Sequence, residues 1–226
     1  MSRPRLRLLG LLAVLLWATR SAADICETGK RQSPVDIVGA QKQNLPALDF
    51  RYFAQPLQLA SDSHTLRLRF APGSSLQAGA QRYRLHQLHF HTPAGDQIGG
   101  ETFPMAAHLL HRSSNGQLVA VVVLFRIGAE NPWLSELLPL IPDKADGIHR
   151  LAGERIDASG LLPVTRTYYR FAGSLTAPPC TEGVDWMVLK QPIELSNPQL
   201  EAYRKRFADN ARAVQALNQR PISESR

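Results

Sequence analysis

Five of the chain's seven histidines fall between His86 and His111, and the stretch Leu85 to Thr92 reads LHQLHFHT. Side chains alternate faces along an extended strand, so Leu85, Gln87, His89 and His91 are expected on one face and His86 on the other. A second extended run, Met105 to His111, follows a loop containing Gly95, Gly99 and Gly100. On it His108 shares a face with Ala106 and Leu110, while His111 has the opposite parity and reads as a surface or packing residue. If the two strands pair, His89, His91 and His108 form three corners of a tetrahedron of neutral nitrogen donors. Zn2+ accepts such donors at about 2.0–2.1 Å, and three protein ligands leave a fourth position for water, the catalytic arrangement. Spacing alone also leaves open histidines that pack in the core or on the surface and bind nothing.

A second candidate half of the site lies in Gly173 to Leu189, GSLTAPPCTEGVDWMVL. Thr176 stands beside Pro178 and Pro179, which stiffen the backbone. If this loop overhangs the metal, Thr176 can orient a bound hydroxide, and Leu110, Val121, Leu175 and Trp186 can form an apolar wall beside it. The plain alternative is an ordinary Pro-Pro turn.

The elements that must position these residues are mostly short strands. Thr65–Phe70 alternates apolar and polar residues, and Tyr83–Thr92, Met105–His111 and Val184–Leu189 are further strands. Gln117–Phe125 is continuously apolar, consistent with burial on both faces. Helices are short and peripheral: Asn131-Pro132 caps a run with Leu134, Leu137 and Leu138 on one face, and Asn197-Pro198 starts another with Leu200, Tyr203 and Phe207. The fold class expected is mostly β, a single domain built on one largely antiparallel sheet with helices on its surface.

Residues 1–23 read as a secretory signal peptide. Arg3, Arg5 and Arg7 precede the ten-residue apolar run Leu8 to Trp17, and Ser21-Ala22-Ala23 offers a cleavage site. The run is too short to span a bilayer, and no second one follows, so no membrane span is expected after cleavage. The segment holds four of the 26 basic residues and none of the 19 acids, so its removal takes the formal charge from +7 to +3. That removes most of the argument for a nucleic-acid partner, and no basic run with interleaved aromatics is present. Export to the periplasm or the medium makes a Cys26–Cys180 disulfide the default reading, the other being two unpaired buried thiols.

Taken together, these segments resemble the alpha-class carbonic anhydrases of the exported bacterial type. The resemblance rests on Gly29-Lys30-Arg31-Gln32-Ser33-Pro34-Val35-Asp36-Ile37, Ser63-His64-Thr65, Gln87 to His91, Phe103-Pro104-Met105 with His108 to His111, and Ser174-Leu175-Thr176 through Trp186. It spans about Cys26 to Arg220. It implies a central twisted, largely antiparallel sheet of about ten strands over residues 24–226, with a conical metal cavity. It implies Zn2+ on His89, His91 and His108, a proton shuttle at His64, and Gln87 supporting a ligand histidine. Thr176 would orient the zinc-bound hydroxide, and Cys26 and Cys180 match the disulfide of exported members. The activity implied is reversible hydration of carbon dioxide to bicarbonate and a proton.

Departures from the family pattern cluster near the centre. Ala106 stands where the family has a Glu two residues before the third ligand. Gly95 stands where the motif T-P-S-E-H has its Glu, leaving Asp96 or Glu101 as the nearest carboxylates for Thr176, with an unsupported threonine the stronger expectation. Ala177 replaces a frequent Thr at the cavity mouth. The usual Trp/Tyr/Gly-rich segment ahead of the first cysteine is missing. Losing a group that holds a metal ligand typically costs about 10–100-fold, so reduced activity is expected, and a catalytically silent, carbonic-anhydrase-related binding protein is the alternative. A cupin-like metal oxidoreductase also uses H-x-H followed by His, but it wants a Glu where Gly95 stands and gives the Thr176 loop no role.

Overall fold

The computed structural model describes residues 22–61, 65–142, 147–207 and 209–226. The strands are β1 (Asp36–Ile37), β2 (Gln41–Lys42), β3 (Leu48–Arg51), β4 (Gln55–Ser61), β5 (Leu66–Arg69), β6 (Ser75–Ala78), β7 (Gln81–His91) and β8 (Gln97–Ile98). They continue as β9 (Met105–Ser113), β10 (Leu118–Ile127), β11 (Gly147–Ile156), β12 (Tyr168–Ser174), β13 (Glu182–Leu189), β14 (Ile193–Leu195) and β15 (Ser223–Glu224). The helices are α1 (Ala22–Thr28), α2 (Pro132–Leu137) and α3 (Asn197–Phe207). None of the described helices is long and apolar enough to cross a membrane.

One sheet of 13 strands dominates, with the path β11-β4-β5-β7-β9-β10-β13-β12-β15-β2. Most neighbours are antiparallel, but β10 and β13 run parallel at the centre, as do β10 with β14 and β15 with β2. The parallel pair explains why the middle of β10 is continuously apolar: Val119 to Phe125 are fully buried.

The register sorts residues onto the two faces. One row across the sheet is Leu59, Leu68, Leu88, Leu109, Val121 and Met187. All are buried, and they belong to the larger core beneath α2 and α3. The adjacent row is Ala60, Arg67, His89, His108, Val122 and Val188, and it faces the opposite side. Its apolar part joins a second core around Val35, Phe103, Phe171 and Trp186.

Two helix starts follow from sequence. Asn131 accepts a hydrogen bond from the Leu134 amide with Pro132 in the first turn, and the Ser196 hydroxyl caps α3 by accepting from Gln199 N–H. Buried Leu200, Tyr203 and Phe207 seat α3 on the larger core.

Cys26 in α1 is bonded to Cys180, closing a separation of 154 residues. The bond ties the start of the described chain to the turn after β12, where Cys180 N–H donates to Ala177 O. A loop that long removes much disorder from the unfolded chain, so the paired Cys26→Ser/Cys180→Ser variant is expected to lose on the order of 2–5 kcal/mol. Urea unfolding of both proteins under non-reducing conditions measures the difference, and equal midpoints would refute it.

Candidate metal centre

The three histidines meet. His89 and His108 are direct cross-strand partners, and His91 follows two residues on. Their ring centroids lie 5.0 Å (His89–His91), 5.2 Å (His89–His108) and 4.5 Å (His91–His108) apart. One ligating atom from each lies within 4.8 Å of the others, so the set can hold a metal ion.

The donors are prepared for one. Burial lowers the pKa of all three rings; neighbouring imidazoles lower His89 and His108 further, and the Arg67 charge acts on His89 and His91. Neutral rings with free lone pairs are what a cation requires. Nε2 of His91 and of His108 are buried with no hydrogen-bond partner among the described residues. Unpaired buried nitrogens are costly in a protein interior, and a shared cation is the economical way to satisfy them.

Ring orientation comes from outside the triad. The Gln87 amide lies 3.0 Å from His89 Nδ1. With its oxygen turned to accept from Nδ1–H, the Nε2 lone pair is left for the metal. His91 Nδ1 donates to the backbone carbonyl of Asn210, at 3.2 Å. The Asn210 side chain in turn accepts from Thr92 N–H and donates to Phe90 O, while Thr92 Oγ1 donates to Phe207 O. The segment after α3 thus clamps the end of β7. Sequence inspection misses this support because a backbone acceptor 119 residues away has no residue-type signature.

His108 has a different environment. Ala106, two residues earlier on its face and fully buried, offers no acceptor. Trp186 packs edge-on against its ring at 5.1 Å, and Trp186 Nε1–H donates to Ser174 O. That bond, with the exchange between Ser33 and Ser174, anchors the start of the Thr176 loop. Gly173 is required there, since a Cβ would lie 2.2 Å from Ser33 Oγ. Thr176 is half-buried and Ala177 exposed. Leu110 and Leu175 pack at the edge of the second core with Trp186.

Several expectations need correction. Val121 is not on this face: it pairs with Leu109 and Met187 and lies in the opposite core. Ala120 and Val122 hold the positions expected of it, because a run buried on both faces carries no alternation from which to read its phase. Leu85 also faces away from the histidines, owing to a bulge between Leu85 and Gln87. His111, by contrast, takes the packing role that its parity allowed, fully buried and 2.7 Å from the Tyr52 hydroxyl. His64 lies outside the described residues.

No carboxylate hydrogen-bonds Thr176 among the described residues. A Cβ on Gly95 would lie 2.8 Å from Pro34 Cγ, so the proline ring fills the space a side chain would need. Asp96 is fully buried, accepts from Val35 N–H through Oδ1 and leaves Oδ2 unpartnered. Burial pushes its pKa up to about 7 despite the Val35 bond.

This arrangement matches known proteins. A family model described as eukaryotic-type carbonic anhydrase matches residues 15–226. A carbonic anhydrase of Neisseria gonorrhoeae is 40% identical over 202 residues, covering 88% of this chain and 79% of that protein. A solved hyperthermostable carbonic anhydrase from a hydrothermal vent chimney superposes with a TM-score of 0.87 at 36% identity, covering 92% of this chain and 94% of that one. The alpha-carbonic anhydrase of Thermovibrio ammonificans, solved with the inhibitor sulfanilamide, gives 0.84 at 37% identity, with 89% and 90% covered.

Two outcomes are expected. Asn210→Ala loosens the segment that holds His91 and lowers zinc affinity about tenfold, the lower end for loss of ligand support, as read by competition with a chelating dye. Asp96 gives a pH signature. Between about pH 4 and 7 the folded chain holds a proton that the unfolded chain releases, so stability falls as pH rises through that window and levels off above it. Asp96→Asn lacks this slope and gains on wild type by up to about 3–4 kcal/mol from pH 4.5 to pH 8. Urea midpoints at the two pH values test it, and a constant difference would refute it.

Proposed function

The chain belongs to the alpha-class carbonic anhydrases, an enzyme family, and on that premise we propose that it catalyses the reversible hydration of carbon dioxide to bicarbonate and a proton. The observation that carries the reading is the convergence of His89, His91 and His108. Zn2+ is the cofactor proposed, since three imidazoles suit it. When bound, it lowers the pKa of a coordinated water to about 7 and so makes a nucleophile available at neutral pH.

The remaining roles fall to the chain's own residues. Gln87 and the Asn210 carbonyl hold Nδ1 of His89 and His91, which fixes the tautomers that leave Nε2 to bind. Thr176 orients the nucleophile through its hydroxyl. Leu110, Ala120, Val122, Leu175 and Trp186 supply an apolar wall on the triad's face, against which carbon dioxide rests and from which bulk water is excluded. His64 passes the product proton to buffer in either direction, a task suited to an imidazole because that group changes charge near neutral pH. Residues 1–23 serve as the export signal, placing the enzyme in the periplasm or the medium, where the Cys26–Cys180 bond persists.

Ala106 offers His108 no acceptor and no carboxylate hydrogen-bonds Thr176 among the described residues, so turnover is proposed to fall below what the family reaches, by about 10–100-fold. The same observation favours a second reading, a silent relative that uses the cavity for binding alone. Stopped-flow hydration at saturating zinc separates the two: the enzyme gives a rate that aromatic sulfonamides suppress, the silent relative none above background. His108→Ala is expected to lose both zinc and turnover, and retention of normal turnover would refute the assignment of the centre.

A further inference from the structure

The face that carries the triad is cationic well beyond it. Strands β4, β5, β7, β9 and β10, five consecutive members of the sheet in space, contain no Asp or Glu. On the triad's face they present Arg67 opposite His89, Arg69 opposite Gln87, and Arg84 directly opposite Arg112. Arg112 lies four residues beyond His108 along β9, or about 13 Å at strand rise. Like charges set directly opposite on paired strands destabilise a sheet, yet no acid pairs with Arg69, Arg84 or Arg112 among the described residues.

Two of these side chains, Arg84 and Arg112, meet in one place. Arg82, Arg84 and Arg112 line a depression of about 650 Å3 with Gln81, Ser113 and Ser114. His86 lies at the β7 bulge between Leu85 and Gln87. After burial, the charges of Arg112, Arg84 and Arg69 are what hold its pKa below the usual histidine value, which puts all three guanidiniums within electrostatic reach of one ring.

We propose that this depression is a binding site for a small dianionic oxyanion of the phosphate or sulfate type, held between the Arg84 and Arg112 guanidiniums and separate from the metal centre. Guanidinium forks match the oxygen edges of such an anion in bidentate fashion. Two forks from opposed strands neutralise a double charge and relieve the repulsion that the register imposes on the pair. Arg82 and the Ser114 hydroxyl supply further donors at the rim. The site does not rest on the proposed reaction, because none of its residues contacts the triad.

The test is titration of inorganic phosphate into the whole chain at pH 8 and low ionic strength, read by calorimetry. Saturable binding of one phosphate per chain is expected. Arg84→Gln and Arg112→Gln should each weaken it about tenfold, the loss of roughly one charge-assisted hydrogen bond. Arg204→Gln, on α3 where Arg204 pairs with Glu201, should change nothing. Repeating the titration after removal of metal by a chelator separates this site from an anion bound at the centre, and unchanged affinity supports the proposal. Wild-type affinity in both Arg84→Gln and Arg112→Gln, loss of binding on chelation alone, or no saturable binding at all would overturn it.

Discussion

The pairing of His89 with His108 across β7 and β9 is the constraint on which the centre depends. Because strand side chains alternate with period two, a slip of one residue would turn every imidazole to the other face. What prevents the slip lies beneath the sheet. Leu88, Leu109, Val121 and Met187 stand in one row at 0–1% exposure. Each large aliphatic side chain contributes roughly 1.5–3 kcal/mol by burial. Slipping the register would expose such residues and drive guanidiniums into the core, where an unpaired charge costs several kcal/mol. The donors are therefore held by residues that touch none of them.

The bulge in β7 is the second half of that constraint. Upstream of it, Tyr83 and Leu85 point into the larger core; downstream, Leu88 and Phe90 do. Odd positions are buried before the bulge and even ones after it. Without the extra residue, a strand that buried Tyr83 and Leu85 would also bury His89 and His91 in the apolar core. The phase change frees Gln87, His89 and His91 for the cavity face. It leaves His86 at the defect, beside the arginines that belong to the upstream phase.

Much of this was legible in the sequence, and the exceptions share a cause. The triad and both capped helices were readable because each rests on residue type at strand or helix spacing, and the cysteine pair because the chain has only two cysteines behind a segment that reads as an export signal. The mostly β fold was readable from alternation. The bulge also left a mark, since the buried residues at 83, 85, 88 and 90 break their two-residue spacing once, between 85 and 88. Val121 was misread because an apolar run buried on both faces has no polar residue to set its phase. The parallel contact of β10 with β13 and the Asn210 clamp rest on tertiary placement and backbone atoms, which no residue pattern encodes.

The charge pattern of the cavity face bears on the missing carboxylates. Ala106 and Gly95 remove negative charge near the triad, and Pro34 and the second core occupy the space so released. Arg67 adds positive charge opposite His89. Both changes act in one direction. They favour neutral imidazoles and they oppose a cation. The same field attracts anions, and bicarbonate, the product of the proposed reaction, is one. On the proposed reading such a face offers a favourable potential along the route an anion takes, so the departures near the triad and the arginines beyond it act in the same electrostatic direction.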